Sequence, residues 1–421
     1  MKLSNKINSF LCKDIEIETI INIILYSIIL VMPFIVVKSY FPVYVFGKQF
    51  YLYIVGLLLT VIIIYLRPKK FTKEELVAFI FLLTIMIPTI FSPVRDIALW
   101  GSHERGEGFF IYCIYIILFV LSRRYLIVNK KDINIIFSVI SIMAIYSVLQ
   151  FYGFDLIQRW IFGKIIAKES IGFIGHRNFF STYICIFLFL STAIYIFKGN
   201  KIYLIFSNIF FAALLCSLTR GGWVAFLIYS FVGGIFILKR KECLKRAILI
   251  FITFTSVFIC LNITTSNKII SRSDKELIIS EDGEFKNSAG ARVNILKMSS
   301  KAFLDRPFLG YGPDTLKTRL LQDYTEEAID HIEKYNEIVD KSHNEFLEYA
   351  VSNGIFNLIA YLILIGLIIY KLIGNINNDS SKIMLLTLIG YLVQSFFNIS
   401  VIMVAPLYWI FLGFTLQKSK S

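Results

Sequence analysis

Long apolar runs alternate along the chain with short segments rich in lysine and arginine. Each run approaches the roughly 20 residues that a helix needs to cross a bilayer. The runs are continuous and lack the period-two alternation of barrel strands, so each must satisfy its backbone hydrogen bonds internally, as a helix. The pattern predicts twelve spans, at about 19–37, 50–66, 75–92, 108–122, 133–152, 178–197, 202–218, 221–238, 246–262, 346–370, 383–398 and 400–416. Almost nothing joins the last two, which form a candidate hairpin. One hydrophilic stretch, 263–345, interrupts the series. The expected fold class is an all-α polytopic membrane protein with about 12 transmembrane helices and one large extracytoplasmic loop containing short helices. The expected division is a membrane domain with spans 1–9 at 1–262, the loop at 263–345, and spans 10–12 at 346–421.

Composition agrees with this pattern. Hydrophobic residues make up 57% and charged residues 17% of the 421, with a mean hydropathy of +0.71. Globular chains sit near about 45–50% apolar, so a soluble core could not hide this much apolar side chain. The first run follows a polar start, is too long for a signal-peptide core and shows no small-residue cleavage site, so it is expected to be a retained span. The six cysteines, at 12, 113, 185, 216, 243 and 260, fall in spans or short basic loops, and none lies in 263–345. No CxxC and no metal-ligand spacing occur, and no metal or cofactor is expected.

Charge then orients the spans. The net charge of +14 could suggest nucleic acid, but the basic residues are spread through short loops, with no basic recognition helix and no zinc-finger spacing. With the N-terminus in the cytoplasm, the inner loops carry Lys2, Lys6, Lys13, Arg67, Lys69, Lys70, Lys73, Arg123, Arg124, Lys130 and Lys131. They continue with Lys198, Lys201, Lys239, Arg240, Lys241, Lys245, Arg246, Lys371, Lys382, Lys418 and Lys420. The short outer loops are poorer in cations, which fits an even number of spans with both termini cytoplasmic. The 263–345 stretch then lies outside. Its first part, Ser266 to Ser288, is polar and expected to be mobile. Arg292 to Leu304 follows as an amphipathic helix, and Pro307, Gly310, Gly312 and Pro313 end it in a turn.

Ionisable groups near membrane depth are expensive and usually functional. Three segments on the outer side qualify. The first is Ser217 to Trp223, where Arg220 either snorkels at the interface or binds an anion, and Gly221 and Gly222 let the backbone turn or approach a ligand closely. The second is Gly290-Ala291-Arg292 with Asp305 to Pro313 behind it, which alone reads as an exposed arginine and a loop turn. The third is Ser342 to Glu348. Ser342 and Glu345 match a capping box, which would put His343 in the first turn of the tenth span, either as a plain interface residue or as a neutral imidazole able to take a proton. Gly175 to Asn178, with Asn178 as a candidate N-cap, and the Trp100 to Gly108 loop could line a headgroup or sugar path. These supply Arg177, Asn178 and Arg105 as weaker binding candidates, beside Asn344 and Glu345.

Taken in order, these segments resemble the O-antigen ligase and polymerase superfamily of membrane glycosyltransferases. The resemblance rests on Thr219-Arg220-Gly221-Gly222, a long outer loop with Arg292, a Pro-x-x-Gly-x-Gly element at Pro307, Gly310 and Gly312, and His343-Asn344-Glu345 leading into a span with Gly354. It is best over about 170–370. Thr219 stands where relatives often have serine, and no soluble domain is expected at the C-terminus. The resemblance implies a GT-C-like fold and a glycan donor carried on undecaprenyl pyrophosphate. It also implies an acceptor that is a glycan, lipid or protein, and a site on the outer face of the bacterial cytoplasmic membrane. It implies that Arg220, Arg292 and His343 are catalytic.

The arginines would grip the pyrophosphate as a leaving group while His343 readies the acceptor hydroxyl for one inverting displacement, with no DxD-type metal clamp. A repeat-unit polymerase would use the same charges, so sequence does not choose between ligase and polymerase. A transporter or flippase is a rival of another class, but the spans carry few charges and the halves look dissimilar. A non-catalytic assembly partner that kept the fold is a further alternative.

Overall fold

A computed structural model of the protein describes residues 2–38, 41–67, 70–165, 168–274 and 288–418. The middle of the segment expected to be mobile lies outside them, as do Lys69, Lys420 and the side chains of the first fifteen residues. The described residues are helical, without a strand. In order the helices are α1 (Lys2–Leu30), α2 (Phe46–Leu66), α3 (Lys73–Ile90), α4 (Arg95–Trp100), α5 (Phe109–Tyr125), α6 (Lys130–Phe151) and α7 (Leu156–Phe162). Then come α8 (Arg177–Lys198), α9 (Ile202–Cys216), α10 (Arg220–Ile237), α11 (Lys241–Thr264), α12 (Lys268–Asp274) and α13 (Ser288–Asp305). The chain ends with α14 (Leu316–Asp323), α15 (Thr325–Tyr335), α16 (Glu345–Asn353), α17 (Ile355–Gly374), α18 (Asp379–Phe396) and α19 (Ala405–Lys418).

A helix falls on each predicted apolar interval. Among the described residues, seven are long and apolar enough to cross a membrane: Glu16–Phe34, Phe46–Leu66, Lys130–Phe151, Arg177–Lys198, Arg220–Ile237, Lys241–Thr264 and Ile355–Gly374. The protein is a multi-pass membrane protein. Polar residues start several helices by local hydrogen bonding. Thr72 and Glu75 form a capping box on α3, and Asn129 and Asp132 form one on α6. Helix α8 is the most enclosed of the seven and packs against α9 and α18, while α5 packs along α19.

The tenth apolar interval is not one helix. It breaks at Gly354 into α16 and α17. The loop segment from Pro307 to Gly312 fills the break: Ile355 N donates to Pro307 O at 2.7 Å, and Tyr311 N and Gly312 N donate to Ser352 O at 3.0 and 2.7 Å. Gly354 has φ +85, and a Cβ there would lie 2.2 Å from Phe308 O. Gly310 has φ +64, with its Cβ position 2.3 Å from Ser352 O. Only glycine fits a positive φ with backbone this close. The Pro-x-x-Gly-x-Gly element is therefore the splice that replaces the missing helical bonds.

Charges gather at the helix ends. At one end Arg123 contacts Glu74 and Glu75, Arg124 contacts Glu75, and Lys371 contacts Glu74, which ties together α3, α5 and α17. At the end of α10, Arg240 pairs with Asp379, which also takes Lys382.

Near the Pro307–Gly312 splice lies a deeper ion cluster. Lys341 Nζ is 2.7 Å from Glu107 Oε2 and 3.7 Å from Asp314 Oδ1, with the Lys341 and Glu107 side chains 1% and 0% exposed. Glu107 Oε1 accepts from Tyr115 and Ser400 hydroxyls at 3.0 and 2.6 Å. Asp314 Oδ2 accepts from Ser102 N and Oγ at 2.7 and 2.9 Å. Burial disfavours the lysine charge, yet Glu107 and Asp314 outweigh it and raise the lysine pKa.

Removing one member of such a cluster leaves buried charge without compensation. We expect Lys341→Met to lower unfolding free energy by about 3–5 kcal/mol, read as a fall in Tm in detergent, and Glu107→Gln in the same chain to recover part of the loss. An unchanged Tm in the single variant would contradict this account of the loops.

Candidate functional site

Helices α8 and α10 begin side by side. The Thr219 hydroxyl, at the N-cap of α10, lies 3.3 Å from Arg177 O and 3.4 Å from Asn178 Oδ1. Asn398 Nδ2 donates to Asn178 O at 2.9 Å and to Thr182 Oγ1 at 2.6 Å, which adds the end of α18. Gly221 and Gly222 allow this closeness. A Cβ on Gly222 would meet Ser181 Oγ at 2.3 Å, and one on Gly221 would meet Phe397 Cβ at 2.8 Å. The close approach expected at the glycines is thus helix against helix.

The packing sets Arg177 and Arg220 at the first positions of neighbouring helices, whose N-termini carry partial positive charge. Arg220 donates to the backbone carbonyl of Arg272 at 2.5 Å, bringing α12 against them. Arg292, on α13, lies within electrostatic reach of Arg177 and Arg220, and Arg272 within reach of all three. Four arginines therefore gather here among the described residues. The nearby carboxylate of Glu169 is half exposed and sits 3.8 Å from Arg177. Burial lowers the pKa of Arg272 and of Arg292, and the neighbouring guanidinium groups lower both further. Such a site favours an anion that brings its own charge.

His343 is linked to the arginines through Glu337, which lies 3.7 Å from its ring and within electrostatic reach of Arg292. The N-cap of α16 is Asn344, whose Oδ1 accepts from Leu347 N at 3.0 Å, so His343 precedes the helix and does not lie in its first turn. The expected Ser342–Glu345 capping box does not form. Ser342 N and Oγ instead donate to Glu348 Oε2 at 2.8 and 2.9 Å. Glu345 is buried, its carboxylate accepting from Tyr349 and Tyr391 at 3.1 and 3.4 Å. Asn344 and Glu345 thus serve the start of α16, as its cap and as a buried acceptor for two tyrosines.

His343 has φ +51. Its Nε2 is 3.7 Å from Glu337 Oε1, and its Nδ1 is buried without a hydrogen-bond partner among the described residues. The contact with the His343 ring holds the Glu337 carboxyl below its ordinary range. Arg105 reaches the same place: its Nε is 2.5 Å from Asp340 Oδ2 and its guanidinium lies over the Phe179 ring at 5.1 Å. Burial pushes the Asp340 carboxyl up, but Arg105 outweighs this and holds it low. His176, not Asn178, is the N-cap of α8 and accepts from Asn178 N at 3.3 Å through Nδ1. Burial, then Arg105 and Arg177, pull its pKa down to about 4, so it stays neutral at pH 7.

The catalytic candidates named from sequence thus come together: Arg220 with Arg292, and His343 with Glu337 close to both Arg292 and the ring. Arg177 joins the arginines and Arg105 the imidazole side. Sequence reasoning passed over Arg272, on the short helix α12, and Glu337 and Asp340, in the loop before α16, none of which has a motif around it. Among the described residues no group of three or more His, Cys, Asp or Glu could hold a metal ion. The chemistry within reach is anion binding next to a proton acceptor.

Comparison with known proteins agrees with the resemblance read from the sequence. Residues 205–362 match the O-Antigen ligase family. That interval takes in Arg220, Arg292, the Pro/Gly splice and His343. Over 273 residues the chain is 23% identical to the ComP-specific O-oligosaccharyltransferase of Acinetobacter baylyi, covering 64% of this chain. The chain spans about half the length of that relative, 47% of it.

An arginine cluster of this kind predicts anion-dependent stability. Inorganic pyrophosphate should raise the Tm of the detergent-solubilised protein, by about 2.7 kcal/mol of stabilisation at one hundred times its Kd. Arg272→Ala and Arg292→Ala should each shrink that shift, and high salt should weaken it. Equal shifts in wild type and both variants would place the anion elsewhere.

Proposed function

We propose that this chain, with its O-antigen ligase-family domain at 205–362, transfers a glycan from undecaprenyl pyrophosphate to an acceptor hydroxyl on the outer face of the bacterial cytoplasmic membrane. The observation that carries the reading is the gathering of Arg177, Arg220, Arg272 and Arg292, with Glu337 joining them to His343. A lipid diphosphate bears at least two negative charges at the edge of a low-dielectric medium. Arginine is permanently charged and binds phosphate oxygens in forked geometry.

In this reading the arginines hold the diphosphate and stabilise the charge that grows on it as the glycosidic bond breaks. His343 accepts the proton of the acceptor hydroxyl as that oxygen bonds to the anomeric carbon. The diphosphate leaves with the bonding pair, and a single displacement inverts the configuration. The donor's own phosphate bond supplies the energy, so no nucleotide and no metal clamp take part.

The membrane arrangement is part of the proposal. Five further helices, α3, α5, α9, α18 and α19, span beside the seven long ones to make twelve, and the described parts of the 263–345 stretch lie outside, where α12 and α13 bring Arg272 and Arg292 to the site. The positive-inside pattern supports this orientation, with both termini in the cytoplasm. So does the opposition along α10 of Arg220 at one end and Arg240, paired with Asp379, at the other. Away from the site arginines, toward the opposite ends of α8 and α10, these helices and α11 also line an apolar cavity of about 460 Å³, with room for a distal stretch of the donor's lipid chain. Two of these helices begin with site arginines and the third leads to Arg272.

Ligase and polymerase differ in acceptor. The name of the A. baylyi relative, a ComP-specific O-oligosaccharyltransferase, speaks of transfer of an oligosaccharide to a specific acceptor and favours the ligase reading here. The acceptor is then a glycan, lipid or protein. A deletion strain should accumulate full-length lipid-linked chains; accumulation of single repeats would assign the polymerase role.

The direct test is transfer from a lipid-linked donor in detergent. Arg220→Ala and Arg292→Ala should each cost about 10²–10³ in kcat, the loss of one well-placed charge donor. His343→Ala should fall by about 10²–10⁴. Undiminished transfer by the His343 variant would remove it from the mechanism.

A further inference from the structure

We infer that Glu337 is a positioning residue for His343: it holds the ring so that Nε2 carries the hydrogen and Nδ1 receives the proton of the acceptor hydroxyl. This rests on the glycan-transfer reading of the site.

The geometry constrains the ring from both sides. A left-handed backbone costs a residue with a side chain roughly 1–2 kcal/mol, and histidine, like asparagine, tolerates it better than most. At φ +51, His343 keeps that conformation because its neighbours are fixed. Ser342 is tied through N and Oγ to the buried Glu348, and Asn344 caps α16. The ring therefore enters the site at a set angle.

Its two nitrogens meet different surroundings. Nε2 faces the Glu337 carboxylate at 3.7 Å, while Nδ1 is buried with no partner among the described residues. A neutral imidazole has one N–H, and the carboxylate, an acceptor only, selects the tautomer that points it at Nε2. The lone pair then sits on Nδ1. A buried acceptor left unpaired costs about 1–3 kcal/mol, so Nδ1 is arranged to be met by a ligand hydrogen.

The other charged and titratable groups around the ring do not take this place. Asp340, on the same loop, is committed to Arg105 from the loop before α5. His176, at the start of α8, is held neutral. His331, on α15, is 3.0 Å from Asn294 Nδ2 through its Nδ1 and lies within reach of both Glu337 and His343. Arg292, on α13, lies within reach of Glu337, which thus stands between the diphosphate side of the site and the imidazole. In the step itself the acceptor's O–H proton passes to Nδ1 as the new C–O bond forms. The resulting imidazolium is stabilised by Glu337 until the proton is released to water.

The test is Glu337→Gln, assayed for transfer with saturating and limiting lipid-linked donor. We expect kcat to fall by about 10²-fold or more, within the range that a general base contributes, with KM for the donor unchanged. Glu337→Asp should keep part of the wild-type kcat and serves if the glutamine variant does not fold. Wild-type kcat in Glu337→Gln, or a loss confined to KM, would overturn the dyad. Either result would leave the functional reading standing so long as His343→Ala remains inactive; activity in both variants would remove that reading too.

Discussion

Lys341 is a cation taken almost wholly out of water, and the arrangement of the site follows from how it is compensated. Its ammonium sits 2.7 Å from Glu107 and 3.7 Å from Asp314, residues far from it in sequence. Burying such charges costs several kcal/mol each unless the geometry is good and the remaining lone pairs are bonded. Here Tyr115, Ser400 and Ser102 complete the carboxylates. Loss of the observed placement of the three loops would leave these charges buried without their partners. Each stands two residues from a site element: Glu107 from Arg105, Asp314 from Gly312, Lys341 from His343. Closing the ion cluster therefore docks the first outer loop, the Pro/Gly splice and the histidine together.

The two ends of the helices handle charge in opposite ways. At one end Glu74 and Glu75 answer Arg123, Arg124 and Lys371, so the cations are neutralised and serve to clamp α3, α5 and α17. At the start of α8 and α10, Arg177, Arg220, Arg272 and Arg292 approach one another and depress the pKa of the buried members. Accumulated like charge is a cost to folding. A ligand that relieves it gains affinity, which is why stability and binding are linked at this place.

The fold was largely legible because its signal is long and periodic: apolar runs with basic punctuation leave few architectures in a bilayer. The twelve apolar intervals each hold a helix. The break at Gly354 was not legible, since an apolar run reads the same whether or not another segment supplies its backbone bonds. The candidates Arg220, Arg292 and His343 stood out through motifs. Arg272, on the short helix α12, and Glu337, in a polar loop, did not, because no motif surrounds them and their partners lie 52 residues and 6 residues away. The capping assignment erred for a local reason. Ser342 and Asn344 are both good caps, and Ser342 was drawn off by Glu348, whose burial demanded donors.

The central claim is that the arginine cluster and the imidazole form one site for a lipid diphosphate. A cryo-electron-microscopy structure of the protein with a lipid-linked diphosphate bound tests it most directly. The account predicts phosphate oxygens about 3 Å from guanidinium nitrogens of Arg220 and Arg292, with His343 Nδ1 open toward the sugar end of the ligand. A diphosphate seated away from those arginines, or with the His343 ring turned from it, would contradict the account.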